Sequence, residues 1–238
     1  MGVFTMAGLQ GWDQTNGLLG VSNVRFNGAF MMNRQQFLAR GAALGVSLVW
    51  GFKTWAQAAG ATVAGVKYEP SISLGGKTLQ LNGAGVRIRA IFRVYAAGLY
   101  TVNKATKNED VLRADQPARM HLVALRDVGG DDFGKLFTRA MEANASREEF
   151  SKSINSVIRM GQIFADARQF AKGDIIILDF LPGTGTVVTH KGKQLGDAFK
   201  EPEFHSLLMK IWFGPKPVDE ALRGALLGNQ TTANTNVT

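Results

Sequence analysis

The chain has 238 residues, a formal net charge of +8 and no cysteine. Without cysteine it forms no disulfide, no thiolate metal site and no cysteine-based active site. Its basic and acidic residues are interspersed and match no standard nucleic-acid module, so we predict that it does not bind nucleic acid.

Residues 32–58 have the layout of a secretory signal. A short basic start precedes the uncharged, mostly apolar run Gly41–Phe52, and Ala56-Gln57-Ala58 supplies the small residues that a signal peptidase reads. The apolar run is too short for a spanning helix, so we predict no stable membrane span after cleavage. An uncleaved membrane anchor is the alternative. Residues 1–31 lack a regular pattern, which suggests an over-extended gene start.

We therefore expect one mature domain over residues 59–228, in a periplasmic or secreted protein. Four basic residues and one acidic residue lie upstream of it, so its formal charge falls from +8 to +5. The polar stretch 229–238 is too poor in apolar side chains to fold and is predicted to be a disordered tail.

The domain opens with strand patterns. Gly75-Gly76 marks a hairpin turn between two of them. The predicted strands are Val63–Tyr68, Ile72–Leu74, Lys77–Leu81 and the long Val86–Tyr100. Gly83-Ala84-Gly85 marks a turn or bulge before the long strand, since the third glycine and the helix of a dinucleotide fingerprint are missing.

The long strand Val86–Tyr100 has two chemically different faces. Its even positions are apolar and can face a core, because side chains alternate along a strand. The opposite face carries Arg87, Arg89, Arg93 and Tyr95. This face is either solvated or a cationic, hydrogen-bonding surface aimed at an anionic or ketone oxygen.

The second half of the domain is mainly helical. A helical stripe follows Asp131 and Asp132, and Ser146 with Glu149 forms a capping-box pattern at the start of the next helix. The predicted elements are a helix over Asn108–Arg113, a strand over Arg119–Leu125, helices from Asp131 and from Ser146 to about Phe170, a hairpin of Asp174–Phe180 with Thr186–His190, and helices over Glu203–Trp212 and Val218–Leu227. Strands followed by helices predict an α+β fold with a mostly antiparallel sheet.

The sequence shows no metal or cofactor motif. The three histidines, His121, His190 and His205, are far apart and none has a partner at ligand spacing. We expect no metal and no cofactor.

Several segments together resemble the chalcone isomerase-like superfamily. They are LNGAGVR with FRVYAAGLY, LRDVGGDDFGKLF, EEFSKSINSVI and FHSLLMKIWFG, and they occur in the matching order over residues 63–227. The resemblance implies an antiparallel sheet packed against a layer of helices, with a mostly apolar cleft between them.

The plant enzymes of this superfamily cyclise chalcones with five polar residues, and the resemblance carries only one of these over. The arginine falls on Arg87, whereas the strand threonine falls on Tyr95. The helix tyrosine falls on Phe150, the asparagine on or near Val157, and the late Ser/Thr near Ile211. Cyclisation needs donors where charge develops on the substrate oxygen, and this chain lacks most of them.

Arg87 with Tyr95 instead resembles the fatty-acid-binding members, in which an Arg and a Tyr hold a carboxylate. In one unbroken strand, however, eight residues separate two side chains by roughly 26 Å. Either a bulge or bend near Val86–Ile88 brings Arg87 to Tyr95, or Arg93 takes its place. Arg89 is predicted to face solvent.

We therefore predict non-catalytic binding of a fatty acid or similar apolar carboxylate. The predicted ligand-binding residues are Arg87, Tyr95, Arg93, Phe150, Val157, Phe164 and Ile211. Two alternatives stay open: an intramolecular lyase or isomerase that uses Arg87 and Tyr95, and an interaction protein of the envelope with an empty cleft.

Overall fold

The structure is a computed structural model that describes residues 60–229. The predicted gene start, the predicted signal peptide and nearly all of the predicted tail lie outside these residues. Within them, no helix is both long enough and apolar enough to cross a membrane.

The described part of the chain contains eleven strands and six helices. The strands are β1 (Ala61–Val63), β2 (Val66–Tyr68), β3 (Ser71–Leu74), β4 (Lys77–Arg89), β5 (Phe92–Thr101), β6 (Ala118–Ala124), β7 (Val128–Gly129), β8 (Gln169–Phe170), β9 (Ile175–Leu181), β10 (Gly185–His190) and β11 (Lys193–Gln194). The helices are α1 (Asn108–Leu112), α2 (Gly130–Ala143), α3 (Arg147–Lys152), α4 (Ile154–Asp166), α5 (Pro202–Phe213) and α6 (Glu220–Leu226).

Seven strands form one antiparallel sheet in the order β11-β10-β9-β6-β5-β4-β3. The remaining strands pair as β1-β2 and β7-β8. Sheet and helices together confirm the predicted α+β fold. The first predicted strand is in fact the hairpin β1-β2, which turns at Ala64-Gly65 with both residues at positive φ.

The predicted long strand Val86–Tyr100 is wrong, because the chain reverses direction within it. β4 ends at Arg89, β5 begins at Phe92, and the two strands pair antiparallel. Ala90 makes the turn with a φ of 53°, in a left-handed conformation that few non-glycine residues adopt.

A bulge in β4 decides which side chains face the helices. Leu81 pairs with Tyr100 and Gly83 pairs with Leu99, so Asn82 is the extra residue. Because one extra residue moves all later side chains to the other face, β4 switches faces at this point. The Asn82 side chain is buried, and its amide nitrogen donates to the carbonyl oxygens of Ala105 and Leu226 at 3.0 and 2.7 Å. The predicted bulge at the glycine step is therefore present.

Both faces of the sheet are buried around β5. Tyr95, Ala97 and Leu99 face the helices and belong to the larger core, whereas Ala96 and Tyr100 belong to a smaller cluster beneath β1-β2. The even positions Ala96 and Tyr100 face a core as predicted, and the odd positions from Tyr95 to Leu99 are buried as well.

The helix predicted from Ser146 is two helices. The capping box is present, since Ser146 Oγ accepts from Glu149 N–H at 3.1 Å. However, the helix is interrupted at Ser153 (φ −103°, ψ 8°), which ends α3 and precedes α4. Within α4, Val157 and Phe164 are buried in the core, whereas Ile158 is exposed.

His205 on α5 makes the stability of the fold dependent on pH. Its ring stacks on Phe180 with centroids 4.1 Å apart, and neither ring nitrogen has a hydrogen-bond partner among residues 60–229. Burial lowers the pKa of His205 to about 3, well below its ordinary 6.5.

Between about pH 6.5 and pH 3, His205 is therefore protonated in the unfolded chain but neutral in the folded chain. Lowering the pH through this range stabilises the unfolded state. We expect His205 to account for a loss of about 2 kcal/mol in the free energy of unfolding between pH 7 and pH 5. Urea unfolding at the two pH values measures it. His205→Phe is the control, because it keeps an aromatic ring and removes the titration. An equal pH-dependent loss in this variant would contradict the prediction.

Candidate functional site

Arg87 and Tyr95 are direct neighbours across the β4-β5 pair. They are register partners, and the guanidinium carbon of Arg87 lies 5.8 Å from the centre of the Tyr95 ring. The hairpin at Ala90 brings them together, not a bend within one strand. The separation of roughly 26 Å expected for one unbroken strand does not apply, because the chain folds back between Arg87 and Tyr95 and pairs the two residues.

Tyr95 is buried and held by α5. The indole Nε1 of Trp212 donates to its hydroxyl oxygen at 2.9 Å. Because an indole nitrogen only donates, the Tyr95 oxygen acts as acceptor here and its own proton is available to another acceptor. Burial raises the pKa of Tyr95 above its ordinary value, while the Arg87 charge and the Trp212 hydrogen bond oppose that rise. Tyr95 therefore stays protonated at neutral pH.

Arg87 has an unused donor. Its Nε is buried without a hydrogen-bond partner among the described residues. A buried donor without a partner carries a desolvation cost that an acceptor at this position would relieve. A carboxylate binds the next residue of the strand: Asp219 Oδ2 accepts from the backbone N–H of Ile88 at 3.0 Å.

A small apolar cavity lies against the Tyr95 ring. Its volume is about 10 Å³, which is room for about one water molecule. The residues that line it are Val94, Tyr95, Leu122, Ala124, Val128, Phe133, Phe170 and Ile176.

An open cleft of about 750 Å³ adjoins this cavity, since Val94 and Val128 line both. Its charged lining is mostly cationic. The cations are Arg87, Arg89, Arg126, Lys135 and Arg139, and the anions are Asp127 and Asp132. Its apolar side is formed by Ala90, Phe92, Val94, Val128 and Leu136. A cleft lined by both cationic and apolar side chains suits an anionic amphiphile.

Arg93 does not share a face with Tyr95, so that prediction is wrong. Arg87 pairs with Tyr95, but Ile88 pairs with Arg93, and Val94 is the extra residue between them. This second register shift turns Arg93 to the face of Ile88, and it does not line the cleft. Arg89, predicted to face solvent, is exposed and lies at the cleft wall.

The predicted apolar residues lie in the core but not at the cavity surface. Val157, Phe164 and Ile211 are fully buried, and Phe150 is half-buried against the same core. None of the four lines the cavity or the cleft. Phe164 packs behind two cavity residues, with its ring 5.0 Å from Phe133 and 5.8 Å from Phe170.

Sequence reasoning missed Trp212 and three of the cleft cations, Arg126, Lys135 and Arg139. A buried tryptophan needs an acceptor for its indole N–H, and this was the available signal for Trp212. Lys135 and Arg139, four residues apart on α2, form a basic stripe that periodicity could have shown.

The family of the chain follows from a match over most of its length. The profile described as chalcone isomerase-like matches residues 60–228. The chain belongs to the chalcone isomerase-like family. No curated protein matches it in sequence.

A solved structure shares this fold. The crystal structure of a fatty-acid binding protein of Arabidopsis thaliana aligns with a TM-score of 0.56 and 18% identity, over 69% of this chain and 93% of that one. At this identity the likeness concerns the fold. Within the chalcone isomerase-like fold, Arg87 and Tyr95 of this chain lie where the cationic cleft meets the apolar cavity.

Proposed function

We propose that this chalcone isomerase-like protein binds a fatty acid or a similar apolar carboxylate without catalysing a reaction. The observation that carries the proposal is the pairing of Arg87 and Tyr95 at the junction of the cationic cleft and the apolar cavity. Arginine offers a charged donor fork and the phenol a second donor, which together suit a carboxylate.

The acyl chain lies in the open cleft. The cavity at Tyr95 is too small for it, whereas about 750 Å³ is within the range of small-molecule sites. Phe92, Val94, Val128 and Leu136 supply the apolar contact, and the carboxylate turns toward the Arg87 guanidinium, which lines the same cleft. That the likeness extends to a plant fatty-acid binding protein supports this proposal.

Export is part of the same proposal. Residues 32–58 have the layout of a secretory signal, so we place the domain in the periplasm or outside the cell. Comparing the mass of the protein recovered from its own host with that of the full chain tests the cleavage near residue 58.

Calorimetric titration of the delipidated full chain with a saturated C16 fatty acid tests the binding site. Arg87→Met is expected to weaken binding about 10- to 100-fold, because it removes a charge-assisted hydrogen bond and keeps the apolar stem. Tyr95→Phe is expected to weaken it by about fivefold, the cost of a neutral hydrogen bond.

Arg93→Met is the matched control, since it removes the same charge from the opposite face of the same hairpin. The methyl ester of the fatty acid is the control ligand, because it has the same chain and no charge. Equal affinities of the acid and the ester, or full affinity of Arg87→Met, would refute the proposal.

The alternative is an intramolecular lyase or isomerase with Tyr95 as proton donor and Arg87 as charge stabiliser. Phe150, Val157 and Ile211 offer no polar group and lie away from the cleft, which weighs against it. Turnover of a chalcone above its spontaneous rate, abolished by Tyr95→Phe, would favour the enzyme over the binding protein.

A further inference from the structure

The tip of the β4-β5 hairpin exposes large apolar side chains to solvent. Ile91 is 86% exposed, Phe92 55% and Ile88 44%. Six large hydrophobic residues are exposed within residues 60–229, and these three lie within five positions of one another. Such clustering on a projecting turn is a sign of a contact surface, whereas scattered exposed residues need no explanation.

Cations surround this apolar tip. Arg89 and Arg93 flank the turn and are both exposed. Arg126 reaches over Phe92, with its guanidinium carbon 5.1 Å from the ring centre. Along the chain, no acidic residue occurs between Glu69 and Glu109, so both strands of the hairpin are free of negative charge.

Acidic groups approach the hairpin only from neighbouring elements. Asp219 binds the Ile88 backbone, and Asp127 and Asp132 line the cleft behind the tip. Asp127 and Asp132 share the cleft lining with five cations, one of which, Lys135, pairs with Asp131. Cations therefore outnumber anions around the tip.

We propose that the hairpin tip, defined here as Ile88–Arg93, docks the protein onto an anionic lipid bilayer. Ile91 and Phe92 enter the interface between headgroups and acyl chains, while Arg89, Arg93 and Arg126 contact lipid phosphates. Apolar side chains ringed by cations are the combination that binds anionic membrane surfaces. The tip is a narrow turn of two strands, too small for a stable protein–protein interface of about 800 Å² per partner.

Docking in this way sets the mouth of the cleft against the lipid. Arg89, Ala90 and Phe92 belong to both the tip and the cleft lining. The docking itself does not depend on what the cleft binds, so it can fail while ligand binding stands, and the reverse also holds.

A cysteine-free chain allows a direct test with single labels. The full chain is labelled with an environment-sensitive fluorophore at Ile91→Cys and, as a matched control, at Ile158→Cys, an isoleucine of α4 that is 64% exposed. Each protein is mixed with vesicles of phosphatidylcholine alone or with added phosphatidylglycerol, with a quencher on the acyl chains. The segment 41–52 is present in both proteins, so any contribution from it is shared.

We expect a blue shift and quenching at position 91 with anionic vesicles, and neither at position 158 nor with neutral vesicles. Arg89→Ala combined with Arg93→Ala is expected to lower vesicle binding about tenfold or more, and added salt to do the same. Ile91→Asp is expected to lower it at least as much, with Ile158→Asp as the control, because Ile91 does not line the cleft.

The proposal is overturned if the label at position 91 stays in water at saturating lipid, or if both labels respond equally. Unchanged binding of the Asp variant at the tip would also overturn it. A dimer in sedimentation equilibrium that Ile91→Asp dissociates would assign the tip to a second copy of the chain instead.

Discussion

Gly83→Ala is expected to lower the free energy of unfolding by about 3 kcal/mol. A Cβ at Gly83 would lie 2.0 Å from the carbonyl oxygen of Ala225 and 2.7 Å from that of Leu226, both in the backbone of α6. A backbone carbonyl cannot turn aside as a flexible side chain can, so the whole helix must shift. The shift would also strain the hydrogen bond from Asn82 to Leu226. Urea unfolding measures the effect.

Gly224→Ala is the matched control within α6 itself. Its nearest neighbour would be the Asn229 oxygen at 4.0 Å, so alanine fits there. Since alanine favours a helix more than glycine does, we expect no loss and a gain of up to about 1 kcal/mol. Equal destabilisation by both variants would contradict the close packing of α6 on β4.

The position of α6 also matters for the binding site. Asp219 caps the helix through Leu222 N–H, and its other carboxylate oxygen accepts from Ile88 N–H, one residue from Arg87. A shift of α6 therefore disturbs the end of β4, where Arg87 is proposed to bind the carboxylate of the fatty acid. We attribute the glycines at positions 83 and 85 of β4 to the close approach of α6, which leaves no room for a Cβ at either position.

Phe164→Ala is expected to lower the free energy of unfolding by about 3–5 kcal/mol. The Phe164 ring is fully buried and contacts the rings of Phe133, Phe137 and Phe170 at centroid distances between 5.0 and 5.8 Å. Alanine leaves a void that three aromatic neighbours cannot fill without losing their own contacts. Thermal and urea unfolding of the full chain measure the loss.

Ile158→Ala on the same helix is the control, and we expect it to change stability by less than about 0.5 kcal/mol because the side chain is exposed. A loss below about 1 kcal/mol for Phe164→Ala would contradict the tight packing and would favour the sequence-based assignment of Phe164 to the ligand cavity.

Much of the secondary structure could be predicted because its signals are local. The turn at Gly75-Gly76, the capping box at Ser146 and the apolar stripe of α2 depend on neighbouring residues only, and each is present. The α+β class followed from the order of these elements.

The turn at Ala90-Ile91 could not be predicted in the same way. Neither residue is glycine, asparagine or aspartate, and the segment alternates like a strand on both sides. Ala90 adopts its left-handed conformation because the pairing of β4 with β5 stabilises the turn, and that pairing involves the whole length of both strands.

The sequence by itself determined the residue types that the site needs, an arginine and a tyrosine next to apolar strands. It also showed that the chain has no cysteine and no histidines at metal-ligand spacing. Only the tertiary structure decided which arginine meets Tyr95. The hairpin and the register shift at Val94 place Arg87 beside the ring and turn Arg93 away. Side-chain alternation is a local property of one strand, but strand register depends on a partner strand, so no local pattern could choose between the two arginines.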